Sequence, residues 1–560
     1  MREFAFYGQC DTPLNDQIEM VDDLNSSNDG VGYIVANSRE VKAEVYAPEV
    51  DFYLRYGKED ALNAAANVLK IYEAKAAIFD HSTSVKKSKQ IGKNVLIVGA
   101  SDLEETVKKA GFNALCFEHD EVKFVYGCAG ELTAILIRPD GEVETSFDLL
   151  LVRGAKKYML TQSGCYEVEG MGEDEIVALL HRASPVYNYA KYISYDPTVC
   201  QYADRRSEHC AICAKACHSV AILKDDKDGR KLVFSDIDCS GCGRCVSSCP
   251  TAALSYGCVT RDGLEAASEL YDGKIMLMGA NADFEDAGEV SNLNLEGVLP
   301  LSFKSAEFLD FLYFARVVQK TGKPLVLFNS NLNYFVQKSA DFINEVYERI
   351  YGVAAVFRAK HSDELASAVE AAREAAKKLK ESGRDFKFEL GRLGQNKLDE
   401  FAARVSPLVE SDLGEIKSAK ALGYGTIEID ADKCTLCLSC AGACNTGALY
   451  ADKSDNSLKY NPSLCTTCGY CEKSCAESVL KVRKTGMRLS PEYFAHRVMA
   501  RDELFECVEC GKPFATKKSV EKIAAMMSPA FAANPAKLRT LYCCADCKRK
   551  IAIENEDFND

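Results

Sequence analysis

Two runs of four cysteines lie between residues 434 and 475 of this chain. They read Cys434-x2-Cys437-x2-Cys440-x3-Cys444 and Cys465-x2-Cys468-x2-Cys471-x3-Cys475. Two cysteines at this spacing can bind zinc, but a third and a fourth favour a 4Fe-4S cubane, in which each iron takes one thiolate. A disulfide framework would need an oxidising compartment, to which nothing in the sequence points. The spacing therefore predicts iron–sulfur chemistry.

This double run resembles the bacterial-type two-cluster ferredoxins, in which the fourth cysteine of each run binds the other cluster. The resemblance implies that one 4Fe-4S cluster is held by Cys434, Cys437, Cys440 and Cys475, and the other by Cys465, Cys468, Cys471 and Cys444. The family usually has proline after each fourth cysteine, whereas Asn445 and Ala476 stand here. Because these residues restore backbone N–H groups near the sulfurs, we expect reduction potentials somewhat above those of proline-containing relatives.

A second cysteine region resembles the same family between residues 200 and 249. Its later run, Cys239-x2-Cys242-x2-Cys245-x3-Cys249-Pro250, is complete, whereas Cys210-x2-Cys213-x3-Cys217 lacks its first cysteine. Cys200 can supply that ligand if residues 201–209 loop out; His209 or solvent is the alternative. The resemblance then implies one cluster on Cys200, Cys210, Cys213 and Cys249 and another on Cys239, Cys242, Cys245 and Cys217. His218 stands where the family has proline, and we expect it beside the cluster rather than bound to it.

Two further cysteine pairs near the C-terminus suit a single tetrahedral metal. They are Cys507-x2-Cys510 and, after a predicted helix, Cys543-Cys544-x2-Cys547. We expect Cys507, Cys510, Cys544 and Cys547 to be the ligands, with Cys543 as the substitute. Structural zinc in a zinc-ribbon-like segment is the leading interpretation. A rubredoxin-like iron is the alternative, because spacing alone does not choose between the two metals.

The stretches between the cysteine motifs alternate strand and helix patterns, which predicts mostly parallel sheets. The predicted fold class is α/β and α+β multidomain, with two ferredoxin-like modules alternating with Rossmann-like α/β domains and a small C-terminal four-cysteine region. The predicted regions are 1–92 (α/β), 93–192 (α/β), 193–258 (first ferredoxin module), 259–425 (doubly wound α/β, its last strand at 386–390), 426–484 (second module) and 485–560 (helical and zinc-ribbon-like). No complete G-x-G-x-x-G loop marks a dinucleotide site.

A short sequence echo links the two α/β stretches. Residues 92–100 read Gly-Lys-Asn-Val-Leu-Ile-Val-Gly-Ala, and residues 273–280 read Gly-Lys-Ile-Met-Leu-Met-Gly-Ala. Each echo precedes a ferredoxin module along the chain, which suggests a duplicated unit of α/β domain plus module. Chance similarity between two buried strands is the alternative.

Composition limits the classes of partner. The 560 residues include 26 Cys and no Trp, and carry a net charge of -15, which argues against nucleic acid. Residues 481–550 are the exception, with fifteen Lys or Arg against seven Asp or Glu, a net charge of +8. The sequence shows no secretory signal and no apolar run of membrane-spanning length, so we expect a cytoplasmic protein with reduced thiols.

The cysteine count indicates the function. Cubanes whose irons are all capped by thiolates carry single electrons and do little bond chemistry. The sequence thus predicts a polyferredoxin-like electron carrier with four 4Fe-4S clusters and one zinc, without catalytic residues of its own. The ferredoxin resemblance suggests redox proteins of the dehydrogenase or hydrogenase class, such as formate dehydrogenase, as the partners. The alternatives are a flavin- or nicotinamide-binding oxidoreductase subunit and an accessory or maturation factor for a metalloenzyme; whether the chain is an enzyme stays open.

Overall fold

A computed structural model describes residues 2–21, 32–227, 229–391, 394 and 396–554 of the chain. The fold is mixed α/β and divides into two compact units. The first unit comprises Met1–Pro197 and Tyr202–Glu389, and the second comprises Thr198–Gln201 and Leu390–Asp560. The six regions expected from the sequence are a finer division, which stays a prediction.

The first unit opens with a four-stranded parallel sheet. Its elements are β1 (Arg2–Tyr7), β2 (Ile18–Val21), β3 (Tyr33–Ala36) and β4 (Ala43–Tyr46), in the order β2-β1-β3-β4, followed by α1 (Glu49–Tyr56) and α2 (Ala61–Asp80). Helix α2 begins where the Asp60 carboxylate accepts hydrogen bonds from the N–H groups of Leu62 and Asn63.

An α/β domain follows, and the chain enters and leaves it through a ribbon of two antiparallel strands, β5 and β13. The elements are β5 (Val85–Gln90), β6 (Asn94–Val98), α3 (Glu104–Lys109), β7 (Asn113–Phe117), β8 (Val122–Tyr126), β9 (Leu132–Arg138), β10 (Gly141–Phe147), β11 (Leu149–Val152), β12 (Cys165–Glu167), α4 (Glu173–Ala183) and β13 (Val186–Lys191). The parallel sheet β12-β11-β6-β7 is buried on both faces, because Val95 and Ile97 pack in one core and Leu96 and Val98 in another.

The first cysteine region forms a small module of two antiparallel pairs, β14 with β17 and β15 with β16. Its elements are β14 (Ile193–Tyr195), α5 (Ile212–Ala216), β15 (Ile222–Asp225), β16 (Lys231–Phe234), α6 (Arg244–Ser248) and β17 (Leu254–Tyr256). The two short helices contact each other and carry cysteines of both runs.

A second parallel sheet completes the first unit, in the order β19-β18-β20-β21. The elements are α7 (Arg261–Leu270), β18 (Ile275–Ala280), α8 (Asn281–Glu285), β19 (Val298–Phe303), α9 (Phe311–Thr321), β20 (Leu325–Phe328), α10 (Tyr334–Tyr351), β21 (Val356–Ala359) and α11 (Ser362–Glu381). A buried ion pair ties the N-terminal helices to this sheet: Lys75 donates to the backbone oxygen of Ser302 at 2.8 Å and lies 3.3 Å from Glu49.

The predicted strand at 386–390 is wrong. Residues 384–390, which belong to the described part of the chain, form neither a helix nor a strand. Phe386 is fully buried and packs edge-on against Tyr347 and Tyr351, both with ring centroids at 4.9 Å. The alternating pattern therefore reflects one buried aromatic anchor in an irregular segment. The parallel sheets are present, whereas the finer Rossmann-like assignment stays a prediction.

The second unit contains the second cysteine module and the C-terminal region. Its elements are α12 (Lys397–Val405), β22 (Glu415–Ile416), β23 (Thr426–Ile429), α13 (Ser439–Gly442), β24 (Leu449–Asp452), β25 (Ser457–Tyr460), α14 (Tyr470–Ser474), β26 (Leu480–Arg483), β27 (Met487–Arg488), β28 (Arg497–Arg501), β29 (Leu504–Glu506), β30 (Pro513–Thr516), α15 (Lys517–Phe531), α16 (Pro535–Thr540) and α17 (Ala545–Glu554). The pairing of β23 with β26 and of β24 with β25 repeats the plan of the first module. No helix in the described part of the chain has the length and apolar character needed to cross a bilayer.

Candidate metal centres

All four cysteine runs share one backbone feature at the residue after the second cysteine of the pattern. That residue is left-handed and caps the short helix of its run: Ala211 (φ 81°), Gly243 (φ 77°), Leu438 (φ 62°) and Gly469 (φ 82°). A left-handed residue bends the chain tightly between the second and third cysteines. Two of the four positions hold residues with a Cβ atom, so the conformation is imposed by the loop and not by glycine alone.

In the second unit, the thiols of the first predicted ligand set are neighbours. Burial and the nearby thiols of Cys434, Cys437 and Cys475 raise the pKa of Cys440 to about 12. Cys475 comes from the other run, as the ferredoxin resemblance implies. The four sulfurs have the chemistry that a cubane needs, because iron can displace the protons that such thiols hold at neutral pH.

The second ligand set of this unit lines one cavity. Cys444, Cys465, Cys468 and Cys471 all border it. Burial, then the thiols of Cys465, Cys468 and Cys444, raise the pKa of Cys471 above its usual range. Burial raises the pKa of the Cys465 thiol to about 11, and the backbone N–H of Thr467, which donates to this sulfur at 3.3 Å, offsets only part of the rise.

The first unit has a matching cavity lined by Cys217, Cys239, Cys242 and Cys245, again one cysteine from one run and three from the other. Burial, then the Cys242 and Cys239 thiols, raise the pKa of Cys245 well above its ordinary value. His218 lies beside this cavity, with Nδ1 at 3.8 Å from the Cys242 sulfur and Nε2 at 3.2 Å from the Ser240 hydroxyl. The ligand roles of these cysteines stay predictions.

The remaining predicted set divides between the two units. Cys210, Cys213 and Cys249 belong to the first unit, whereas Cys200 lies in the short segment assigned to the second. Cys200 is buried, and its backbone oxygen accepts a hydrogen bond from Asn445 Nδ2 at 3.0 Å. Asn445, which replaces the usual proline, thus uses its side chain to hold residue 200. The alternative ligand His209 contacts the Ser207 hydroxyl at 2.8 Å. The assignment of Cys200 stays a prediction.

Comparison with known families agrees with these two regions. A family described as a 4Fe-4S dicluster domain matches residues 426–476, and a second family with the same description matches residues 208–253. The chain contains two 4Fe-4S dicluster domains. The first of them begins at residue 208, so Cys200 lies outside the matched range. A search among curated proteins found no match.

Hydroxyl groups beside the sulfurs of the dicluster domains were missed by the sequence reasoning. The pairs, with their sulfur–oxygen distances, are Cys217 with Ser219 (3.4 Å), Cys249 with Thr251 (3.8 Å), Cys437 with Ser439 (3.6 Å) and Cys444 with Thr446 (3.5 Å). In each pair a Ser or Thr follows the cysteine by two residues, so a Cys-x-Ser/Thr search would have found them. A hydroxyl that donates to a cluster-bound thiolate stabilises the reduced cluster.

A loop from the neighbouring sheet clamps the first dicluster domain. Arg244, next to Gly243, makes a two-pronged ion pair with Glu307, at 2.6 and 3.1 Å. The Ser305 hydroxyl donates to the backbone oxygen of Cys242 at 2.9 Å. Residues 305–307 lie far along the sequence from these partners, so the sequence alone carries no signal for the clamp. Its position fixes the loop that holds Cys242 and Cys245.

The four C-terminal cysteines expected to bind one metal are brought together. The sulfurs of Cys507, Cys510, Cys544 and Cys547 all lie within 4.8 Å of one another. The first two lie on the β29–β30 hairpin, and the last two flank the start of α17. Cys543 is not part of this group: its thiol donates to the Arg539 backbone oxygen at 3.3 Å, although it also interacts with the Cys507 thiol.

Local electrostatics prepare this C-terminal site for a cation. Burial opposes ionisation of Cys507, but backbone N–H groups, led by that of Cys544 at 3.2 Å, lower the pKa of its thiol to about 6. A thiolate is therefore available near neutral pH before any metal binds. Four cysteine sulfurs this close together can bind one tetrahedral zinc, and equally a single iron.

Proposed function

We propose that this protein carries electrons between oxidoreductases through four 4Fe-4S clusters, as a polyferredoxin-like carrier or electron-transfer subunit. The single observation that carries the proposal is the presence of two 4Fe-4S dicluster domains in one chain. Cubanes with a thiolate on every iron leave no open position for substrate, so they pass electrons and do not make or break bonds.

The proposed ligands are the sixteen cysteines predicted from the sequence. The shared cavities and mutual pKa effects described above support three of the four sets. For the fourth set, Cys200 is proposed beside Cys210, Cys213 and Cys249 on the ferredoxin pattern alone. The C-terminal site is proposed to hold zinc in a zinc-ribbon-like structural role, with iron as the alternative.

The proposed partners are redox proteins of the dehydrogenase or hydrogenase class. A chain with two dicluster domains offers separate places for electrons to enter and leave, which suits a relay between two such enzymes. The proposed metal sites need reduced thiols, which the cytoplasm maintains. The cytoplasmic location is part of the proposal.

The test is a cofactor inventory of the full chain after anaerobic purification, followed by a reductive titration. We expect about sixteen iron with equal sulfide, about one zinc, and roughly four electrons taken up per chain, one for each cubane. Stoichiometric flavin would favour the alternative of a catalytic oxidoreductase subunit. Clusters that cannot be reduced and reoxidised would refute electron transfer, and about twelve iron would remove Cys200 from the ligand set.

A further inference from the structure

One cluster loop of the second unit reaches the surface. Cys437, Leu438 and Ser439 form its exposed tip, and Leu438 leaves 37% of its surface accessible. The other seven cysteines of this dicluster domain are buried or half-buried. Electron transfer between proteins requires the two centres to lie close together. A cluster bound through Cys437 would therefore exchange electrons most readily across this tip.

Helix α15 is fixed directly onto the same loop. The hydroxyls of Thr516 and Ser519 both donate to the backbone oxygen of Thr435 at 2.8 Å, and Lys518 Nζ donates to the oxygen of Ala431 at 2.9 Å. Lys522 pairs with Glu477, which also accepts a hydrogen bond from Thr435. The first turns of α15 thus form one surface with the cluster loop.

Beyond those turns, α15 presents apolar side chains to solvent. Ile523, Met526, Met527 and Ala530 follow helical spacing and form one exposed stripe, which we call the α15 stripe. Ile523 is 53% and Met526 68% accessible, whereas Val520 and Ala524 are the buried residues of the helix. At about 1.5 Å of rise per residue, Ile523 lies about 6 Å along the axis from Ser519, which is well within one protein interface.

Charge indicates the kind of partner. Lys517, Lys518 and Lys522 surround the start of the stripe, where Glu521 is exposed and Glu477 pairs with Lys522. Residues 481–550, which include the helix, carry a net charge of +8 in a chain of net charge -15. A basic rim around an exposed apolar patch is complementary to an acidic protein surface with an apolar centre. A membrane surface fits less well, because the α15 stripe contains no Trp, Phe or Leu, the apolar residues typical of interfacial helices.

We propose that the Cys437–Ser439 tip and the α15 stripe form the docking surface for an acidic redox protein that exchanges electrons with the cluster bound through Cys437. This inference rests on the proposed function. The apolar stripe supplies the contact, the lysines orient the partner, and the exposed loop brings the cluster to the interface. Met side chains suit such a surface because they adapt to the shape of a partner.

The experiment compares two electron donors on the cluster-loaded full chain. One donor is a reduced ferredoxin with an acidic surface, and the other is the small radical cation of methyl viologen, mixed rapidly at low and at high salt. The test variants are Ile523→Glu/Met526→Glu and Lys517→Glu. The matched controls are Leu62→Glu, an exposed apolar residue at the start of α2, and Lys453→Glu on the β24–β25 turn.

We expect wild type to accept electrons from both donors, with the ferredoxin reaction slowed by salt. The test variants should slow electron transfer from ferredoxin at least about tenfold, whereas the rate of reduction by viologen and the iron content stay unchanged. The reason is that only the protein donor depends on electrostatic attraction to the lysines and on contact with the α15 stripe. The controls should behave as wild type.

The inference is overturned if the test variants reduce as fast as wild type with ferredoxin, if the controls slow equally, or if wild type reacts with viologen but not with ferredoxin. Binding of wild type to anionic phospholipid vesicles that the Ile523→Glu/Met526→Glu variant loses would also overturn it, in favour of a membrane surface. A wild-type protein that accepts no electrons even from viologen refutes the proposed function itself.

Discussion

Gly243 offers a sharp test of how the first dicluster domain is held. Its φ of 77° is left-handed, and a Cβ added there would lie 2.5 Å from Cβ and 3.1 Å from Cα of Phe308. Phe308 cannot retreat, because it is fully buried and its ring packs against Tyr256 at 4.7 Å. Left-handed strain costs about 1–2 kcal/mol and overpacking about 1–3 kcal/mol, so Gly243→Ala should destabilise the unit by about 2–5 kcal/mol.

Ala211 provides the matched control for this substitution, because it has nearly the same φ, 81°, at the equivalent position of the other run. Ala211→Gly relieves the same strain of about 1–2 kcal/mol but removes a buried methyl group worth about 0.8 kcal/mol, so stability should rise by only about 0.2–1.2 kcal/mol. The assay is anaerobic urea unfolding of the cluster-loaded chain, followed by the visible absorbance of the clusters. Equal midpoints for Gly243→Ala and wild type would refute the argument that Phe308 leaves no room for a side chain at position 243.

Three further predictions concern other sites. Lys75→Met should cost about 3–5 kcal/mol of stability in urea unfolding because it leaves the Glu49 carboxylate buried without its cation, and adding Glu49→Gln should recover much of that loss; no recovery would contradict the ion-pair argument. Cys544→Ser should lose the C-terminal metal whereas Cys543→Ser keeps it; the opposite result would make Cys543 the ligand in place of Cys544. In chelator competition, the affinity for the metal should fall as the pH falls toward the Cys507 pKa of about 6, because protons then compete with the metal for the thiolates. Thr446→Val removes the hydroxyl 3.5 Å from the Cys444 sulfur and should lower the potential of that cluster by about 40 mV in a redox titration, the equivalent of about 1 kcal/mol for one electron; an unchanged potential would show that the hydroxyl does not donate to sulfur.

The parts of the fold that the sequence predicted well are those that bury a continuous apolar pattern. The echoed segments at 92–100 and 273–280 contain the buried strands β6 and β18. Each is the first strand of its four-stranded parallel sheet along the chain, and each lies between the strands that come second and third along the chain. The N-terminal sheet has the same order without the echo, so the duplication stays a prediction beside chance similarity.

The parts that escaped prediction lack a local signal. Strand β5 is Val-Lys-Lys-Ser-Lys-Gln with almost no buried side chain, so no alternation marks it, and its pairing with β13 depends on residues about a hundred positions away. The contact of Arg244 with Glu307 could not be predicted either, because the two residues lie far apart in the sequence. At the C-terminal site, the two Cys-x2-Cys spacings predicted the four thiols that come together, whereas the contact of Cys543 with the Arg539 backbone oxygen has no signal in the sequence.

The ribbon of β5 and β13 has a consequence for how this chain could have been assembled. Gln90 and Val186 are direct partners across the ribbon, so the domain between them begins and ends at one point in space. A single insertion or deletion of residues 91–185, closed by a short turn, would leave both cysteine modules on one continuous chain. Loss of the domain would break the two hydrogen bonds of 2.8 Å that Asp238 accepts from Ser163, and the one of 3.2 Å that the Thr161 backbone oxygen accepts from the Val220 N–H. The domain is therefore a cassette that a lineage could gain or lose in one genetic step.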